Sequence, residues 1–414
     1  MIKYKKRVLS NGLTVLVHSD NSTPLVAVNT IYKVGAKNED YNKTGFAHLF
    51  EHLMFGGTKE VPDFDIPIQM SSGENNAFTN NDYTNYYIII PKSNLEVALY
   101  LEADRMVNLD INEKSLSVQR RVVEEEYKER YVNRPYGDLW QLLRPMVYTT
   151  HPYQWSTIGR DIAHVREACL DDVESFYNRY YTPQNAIIAI AGDIDEEATF
   201  ALVEKIYGSI KKGEVVEKLD IKEPAQTEQR RKEVERDVPS TMIYIVFHMA
   251  NRLSRQFSTC DIISDLLSGG TSSRMYQTLI KEKRMFSSVN AYITGDIDEG
   301  MFIVTGTLLD ETDVAEAEAA LFEELEKLKS EPIDDYELEK VKNKFEVNTI
   351  FGEINVMNKA MNLCFYELLG DIELINNESA VFRSITKDEI SKTAKELFVE
   401  SNSSVLIYRG IARN

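Results

Sequence analysis

NAIIAIAG at 185–192 and SSVLIYRG at 403–410 are the two stretches from which the architecture follows. Each is a short apolar run of strand-forming residues closed by glycine. Each follows a helical pattern of similar length, 171–180 in one case and 387–398 in the other. The residues ahead of them run in a similar order. In the first half, strand-like runs at 26–34 and 75–90 flank a helical segment at 44–55, and long helical patterns follow at 95–107 and 113–131. In the second half, a strand-like run at 242–247 precedes helical segments at 254–267 and 272–282. Strand-like runs at 288–293 and 301–307 and long helical patterns at 314–328 and 336–347 come next. The expectation is two repeats of about 200 residues. They divide as 1–215 and 216–414, across the charged, Gly- and Pro-containing stretch 211–229. Asn11-Gly12, between two strand-prone runs, predicts a two-residue hairpin turn.

Composition narrows the class. The chain has 414 residues, of which 43% are hydrophobic and 27% charged, enough apolar surface for more than one core. Its 47 basic and 66 acidic residues leave a formal charge of −19, which repels phosphate and argues against a nucleic-acid partner. No run approaches the ~18 apolar residues of a membrane span, so no membrane segment is expected. The basic start MIKYKKR is not followed by the apolar core of a secretory signal. Cys169, Cys260 and Cys364 are odd in number and form no CxxC pair, so a reduced, cytoplasmic protein is expected.

The chemistry concentrates in His48-Leu49-Phe50-Glu51-His52. Four residues of helix separate the two histidines, which places both imidazoles on one face, one turn apart. Two such nitrogens can reach one metal ion, and Glu51 projects from the same side as a general base. Two capping histidines beside a solvated glutamate would give the same five letters. Leu49, Phe50, Leu53 and Met54 make that helix largely buried, however, and buried imidazoles need partners. A catalytic tetrahedral site wants a third protein ligand and one open position. The run Val122-Val123-Glu124-Glu125-Glu126-Tyr127 offers it. If Val122 and Val123 mark the buried face, Glu126 shares it at i+4 and i+3, and Glu124 and Glu125 point away. Glu129 is the weaker alternative on the same face.

These residues, with Gly35, Gly45, FAHLFEHLMFGGT, the NAFT segment at 76–79 and RRVVEEEYKER, resemble the pitrilysin/insulysin family of inverzincin peptidases. The similarity runs through SGGTSSRMYQ at 268–277 and DDYELEKVKNKF at 334–345, and is greatest to short subunits like the mitochondrial processing peptidase beta subunit and bacterial homologues. It implies an α+β fold of two homologous α/β repeats, each a mostly antiparallel sheet with helices packed on one face. It implies one Zn2+ held by His48, His52 and Glu126, with Glu51 as catalytic base. Asn76 and Ala77 would lie on an edge strand that takes a peptide substrate as an added strand. The activity implied is zinc metalloendopeptidase, inside a chamber formed with a second homologous chain.

Two positions depart from the family pattern. The family supplies an arginine and a tyrosine for the developing oxyanion from its second repeat, where this chain has Ile280 and Ser287. Arg274, Tyr276 and Arg284 lie nearby but out of register. Gln119 stands where many relatives carry a glutamate on the Glu126 helix. One intact half-site beside one missing half-site predicts a heterodimer, in which a homologous partner brings the arginine and tyrosine; a homodimer is the alternative. A non-catalytic core subunit of a larger complex is the competing function, against which the complete His48, Glu51, His52 and Glu126 set argues.

Overall fold

The structure is a computed structural model and describes residues 1–411. Strands β1 (Lys5–Val8), β2 (Thr14–Ser19), β3 (Leu25–Tyr32), β4 (Glu74–Thr79), β5 (Thr84–Pro91) and β6 (Ala186–Gly192) form one sheet. Its order is β1-β2-β6-β3-β5-β4. A second sheet holds β7 (Arg230–Arg236), β8 (Met242–His248), β9 (Phe286–Ile293), β10 (Met301–Leu308) and β11 (Ser403–Gly410), in the order β7-β11-β8-β10-β9. Every pairing is antiparallel except β2 with β6 and β7 with β11. The two runs ending in Gly192 and Gly410 are therefore the same kind of strand. Each pairs parallel on one side and antiparallel on the other. Burial on both faces explains why β6 reads as an unbroken apolar run rather than an alternating one.

The helices of the first half are α1 (Phe46–Leu53), α2 (Asp65–Met70), α3 (Leu95–Val107), α4 (Glu113–Tyr127), α5 (Leu139–Val147), α6 (Ile162–Arg166), α7 (Leu170–Tyr180) and α8 (Glu196–Tyr207). The second half adds α9 (Arg255–Ser268), α10 (Val314–Ser330), α11 (Asp335–Gly352), α12 (Val356–Leu369), α13 (Leu374–Arg383) and α14 (Lys387–Leu397). On one face of the first sheet, Val26, Val28, Ile188 and Ile190 share a core with Leu49, Phe50, Leu99 and Phe200. In the second sheet Ile243, Ile245, Val405 and Ile407 do the same with Ile263, Leu321 and Ile390.

Two compact units result. One comprises 1–132, 155–221 and 350–376; the other comprises 133–154, 222–349 and the remainder of the described chain. A single division at 215/216 thus omits two exchanged segments. The reason lies in the sheets, whose alternate residues point to a second face that must also be covered. In the first sheet that face carries the buried Ala27, Asn29, Ile31, Ile187 and Ala189. Helix α12, from the second half of the sequence, lies on β3 and β6, with Cys364 Sγ 3.4 Å from Asn29 O and 3.6 Å from Ile187 O. Helix α5, from the first half, packs Leu139, Leu143 and Val147 against Tyr244, Val246, Ile303 and Leu406 of the second sheet.

Two local expectations change. The run at 75–90 is two strands, split by a turn in which Asn80 Oδ1 accepts from Asp82 N at 2.8 Å and Tyr83 N at 2.9 Å. The Asn11-Gly12 turn is longer than two residues. Val8 pairs with Thr14, and Asn11 Nδ2 is drawn off to the carbonyls of Tyr207 and Ile210 at 2.8 and 3.1 Å.

The helix exchange has a measurable consequence. Leu363→Ala, at a fully buried α12 position, is expected to cost about 2–5 kcal/mol. Urea unfolding measures the loss. Hydrogen exchange should show it in β3 and β6, with β8 and β11 unchanged, although Leu363 lies in the second half of the sequence.

Candidate metal centre

Helix α1 buries Phe46, Ala47, Leu49, Phe50 and Leu53. Phe50 stacks on Phe176 at 4.9 Å and on Tyr181 at 5.2 Å, which fixes the rotation of the helix about its axis. That rotation sends His48 and His52 to the opposite side, with ring centroids 4.8 Å apart. The helix is shorter than 44–55, and Thr44 does not cap it. Thr44 Oγ1 instead accepts from Arg160 N at 2.9 Å and lies 2.9 Å from His164 Nδ1. Gly45 occupies the cap position with φ of 88°, and a Cβ there would lie 2.8 Å from the carbonyl oxygen of Ile158.

Helix α4 begins at Asn112, whose Oδ1 accepts from Lys114 N and Ser115 N, both at 3.0 Å. Leu116 and Val123 are fully buried and hold α4 beside α1. Val122 is 42% exposed, so it does not mark the buried face. Val123 does, and Glu126 stands at i+3 from it. Glu126 Oε2 lies 3.2 Å from His52 Nε2 and 3.6 Å from His48 Nε2. Glu124 pairs with Arg166 and Glu125 with Lys128, each at 2.7 Å and away from the histidines. Glu129 is exposed on the π-helical turn after α4 and stands outside the cluster.

The geometry fits a tetrahedral ion. One ligand atom from each of His48, His52 and Glu126 lies within 4.8 Å of the other two. Bonds of about 2.0–2.1 Å place tetrahedral ligand atoms about 3.3 Å apart. Two imidazole nitrogens and a carboxylate oxygen are a donor set that zinc takes readily. Burial pushes His48 down to about 4, so the ring is neutral at ordinary pH, the form that ligates. The hydrogen bond to His52 holds the Glu126 carboxyl below its usual range. Arg130 Nη1 occupies the other Glu126 oxygen at 2.8 Å.

Glu51 lies on the same helix. Burial raises its pKa, and a hydrogen bond from Thr79 at the end of β4 acts against that shift. Strand β4 is the edge of its sheet, pairing only with β5. Asn76 is exposed there, and its Oδ1 accepts from Ala77 N at 2.8 Å. Thr79 and Arg130 carry no metal-site signal in the sequence. Thr79 belongs to NAFT, but its reach to Glu51 depends on where the sheet edge meets α1.

In the second unit, Ile280 packs against the core and Ser287 Oγ donates to Thr307 O at 3.2 Å. Arg274 is bound twice by Glu337, both contacts at 2.8 Å. No arginine–tyrosine pair takes the expected register.

A sheet-and-helix repeat with two histidines and a carboxylate converging beside a glutamate suits a zinc site, and the comparisons name zinc proteases. A family model described as Insulinase (Peptidase family M16) matches residues 14–156, and one described as Peptidase M16 inactive domain matches residues 169–345. The chain belongs to the M16, or pitrilysin, family of zinc proteases, and its cofactor is zinc. A Helicobacter pylori protein named zinc protease PqqE is 29% identical over 413 residues, 98% of this chain and 93% of that one. A crystal structure of a protease from Helicobacter pylori superposes with a TM-score of 0.94 at 28% identity, over 99% of this chain and 100% of that one. The periplasmic protease PqqL from Escherichia coli shares the fold, with a TM-score of 0.81 at 18% identity, over 99% of this chain but 48% of that one. No helix among the described residues is long and apolar enough to cross a membrane.

The cap conformation makes a prediction. Gly45→Ala forces a Cβ into left-handed backbone and is expected to cost about 1–3 kcal/mol. Thermal unfolding measures that cost. Zinc content, read by atomic absorption on the folded fraction, should fall with it.

Proposed function

We propose that this chain is the zinc-bearing subunit of an endopeptidase, and the observation that carries the proposal is the convergence of His48, His52 and Glu126 beside Glu51. Zinc held by those three residues would supply the Lewis acidity that activates water and polarises a scissile carbonyl. The chain's own residues do the rest. Glu51, kept partly desolvated and oriented by Thr79, takes a proton from water and returns it to the leaving amine. The free edge of β4 takes the peptide backbone as an added strand, with Asn76 and Ala77 in contact. Thr79 belongs to that same strand, so the base and the substrate are placed by one element.

The site lacks donors for the oxyanion from its own second repeat, where Ile280 and Ser287 stand. A homologous partner chain carrying an arginine and a tyrosine at those positions would complete it. The two-halved solved relative, of which this chain covers 48%, supports an assembly of two such chains.

Glu51→Gln is expected to lower peptide cleavage by at least about 10²-fold while zinc content stays at one per chain. The partner is tested by assaying the chain alone and with its candidate homologue on a fluorogenic peptide. Activity should require both. Full activity in the lone chain would overturn the two-chain reading.

A further inference from the structure

Helix α1 has eight residues, too few to hold itself by its own hydrogen bonds. Its first N–H groups need acceptors from elsewhere. Gly45 at the cap has no side chain, and the Thr44 hydroxyl is engaged by Arg160 and His164. The acceptors come from Glu39, which is 8% exposed. Glu39 Oε2 accepts from Gly45 N at 2.9 Å, and Oε1 accepts from Ala47 N at 2.8 Å. Trp155 Nε1 donates to Oε2 at 3.2 Å. Glu39 follows a 3-10 turn at Ala36–Asn38. Ala36 N and Lys37 N donate to the carbonyls of Asn80 and Asn81, at 3.1 and 2.9 Å, in the turn between β4 and β5.

We infer that Glu39 is the positioning residue of the metal-binding helix, tying the N-terminus of α1 to the hairpin that carries the sheet edge. The inference deepens the reading of His48, His52 and Glu126 as a metal site and rests on it. Ala47 immediately precedes His48, so one carboxylate oxygen sets the first ligand's backbone, and the next turn sets His52. Burial pushes the Glu39 carboxyl up, to about 8, while the N–H groups of Ala47 and Gly45 pull it down. Glu39 thus holds the start of the helix whose later turn carries Glu51 and His52.

Glu39→Gln tests this in the full chain, because glutamine keeps the shape but turns an N–H donor toward one of the N–H groups. Zinc affinity, by competition with a chromogenic chelator, is expected to fall about 10- to 100-fold. The visible absorption of the cobalt-loaded protein should shift with it. Hydrogen exchange in the metal-free protein should speed up in α1 and stay unchanged in β3 and β6. Wild-type affinity with wild-type protection of α1 overturns the inference, and so does a loss of protection spread evenly over the first unit. Should Glu39→Gln not fold, Trp155→Phe decides, since it removes the donor that Trp155 shares between Glu39 Oε2 and Ala36 O, in the turn that carries Glu39. A smaller loss of zinc affinity supports the role, and none refutes it. A wild-type chain that binds neither zinc nor cobalt would sink the metal reading instead, and exchange in α1 would still decide what Glu39 does.

Discussion

Packing of α4 against α1 is the contact on which the rest of the site depends. His48 and His52 need only one turn of helix to face the same way, but two imidazoles do not make a closed metal site. The carboxylate beside them, Glu126, comes from 74 residues further along the chain than His52. Fully buried Leu116 and Val123 hold its helix in place, and the aromatic stack of Phe50 on Phe176 and Tyr181 fixes the rotation of the other. Apolar burial thus sets the distance between polar atoms. Remove the packing and the carboxylate has no reason to approach two rings that are already partly desolvated.

The electrostatics follow from that geometry. Burial keeps His48 neutral, and the neighbouring imidazole and Arg130 keep Glu126 ionised. The cluster therefore presents the neutral His48 ring and an anionic oxygen beside the His52 ring, a donor set that suits a divalent cation. Glu51 is treated differently. Burial raises its pKa, and Thr79, outside the three-residue cluster, acts against that shift. Their neighbours thus shift the two carboxylates in opposite directions: the hydrogen bond to His52 lowers Glu126, and burial raises Glu51.

Much of this was legible before the fold was seen. The short runs ending in Gly192 and Gly410, each following a helix of similar length, marked two equivalent strands. The His48, Glu51 and His52 spacing marked one face of a helix. Glu126, preferred over Glu124 and Glu125 from helix spacing, is the member that lies beside the histidines, although Val122 is exposed and Val123 alone marks the buried side. Other features were hidden. Thr44 has the right chemistry for a cap, but its hydroxyl is taken by groups over a hundred residues away. The exchange of α5 and α12 between units left no local trace, since an amphipathic helix pattern does not say which sheet it covers.

The sequence by itself determined the repeats, the pairing of two histidines with a glutamate on one helix, and the lack of an arginine and tyrosine at 280 and 287. These are properties of residue type and short spacing, which backbone periodicity turns directly into geometry. Only the tertiary structure decided that Glu126 lies beside the two histidines, that Glu39 accepts from the first N–H groups of the helix, and that each sheet borrows a helix from the other half of the chain. Each of those is a contact between segments far apart in sequence, fixed by which apolar faces bury against each other. No local pattern encodes such a contact until the core has formed.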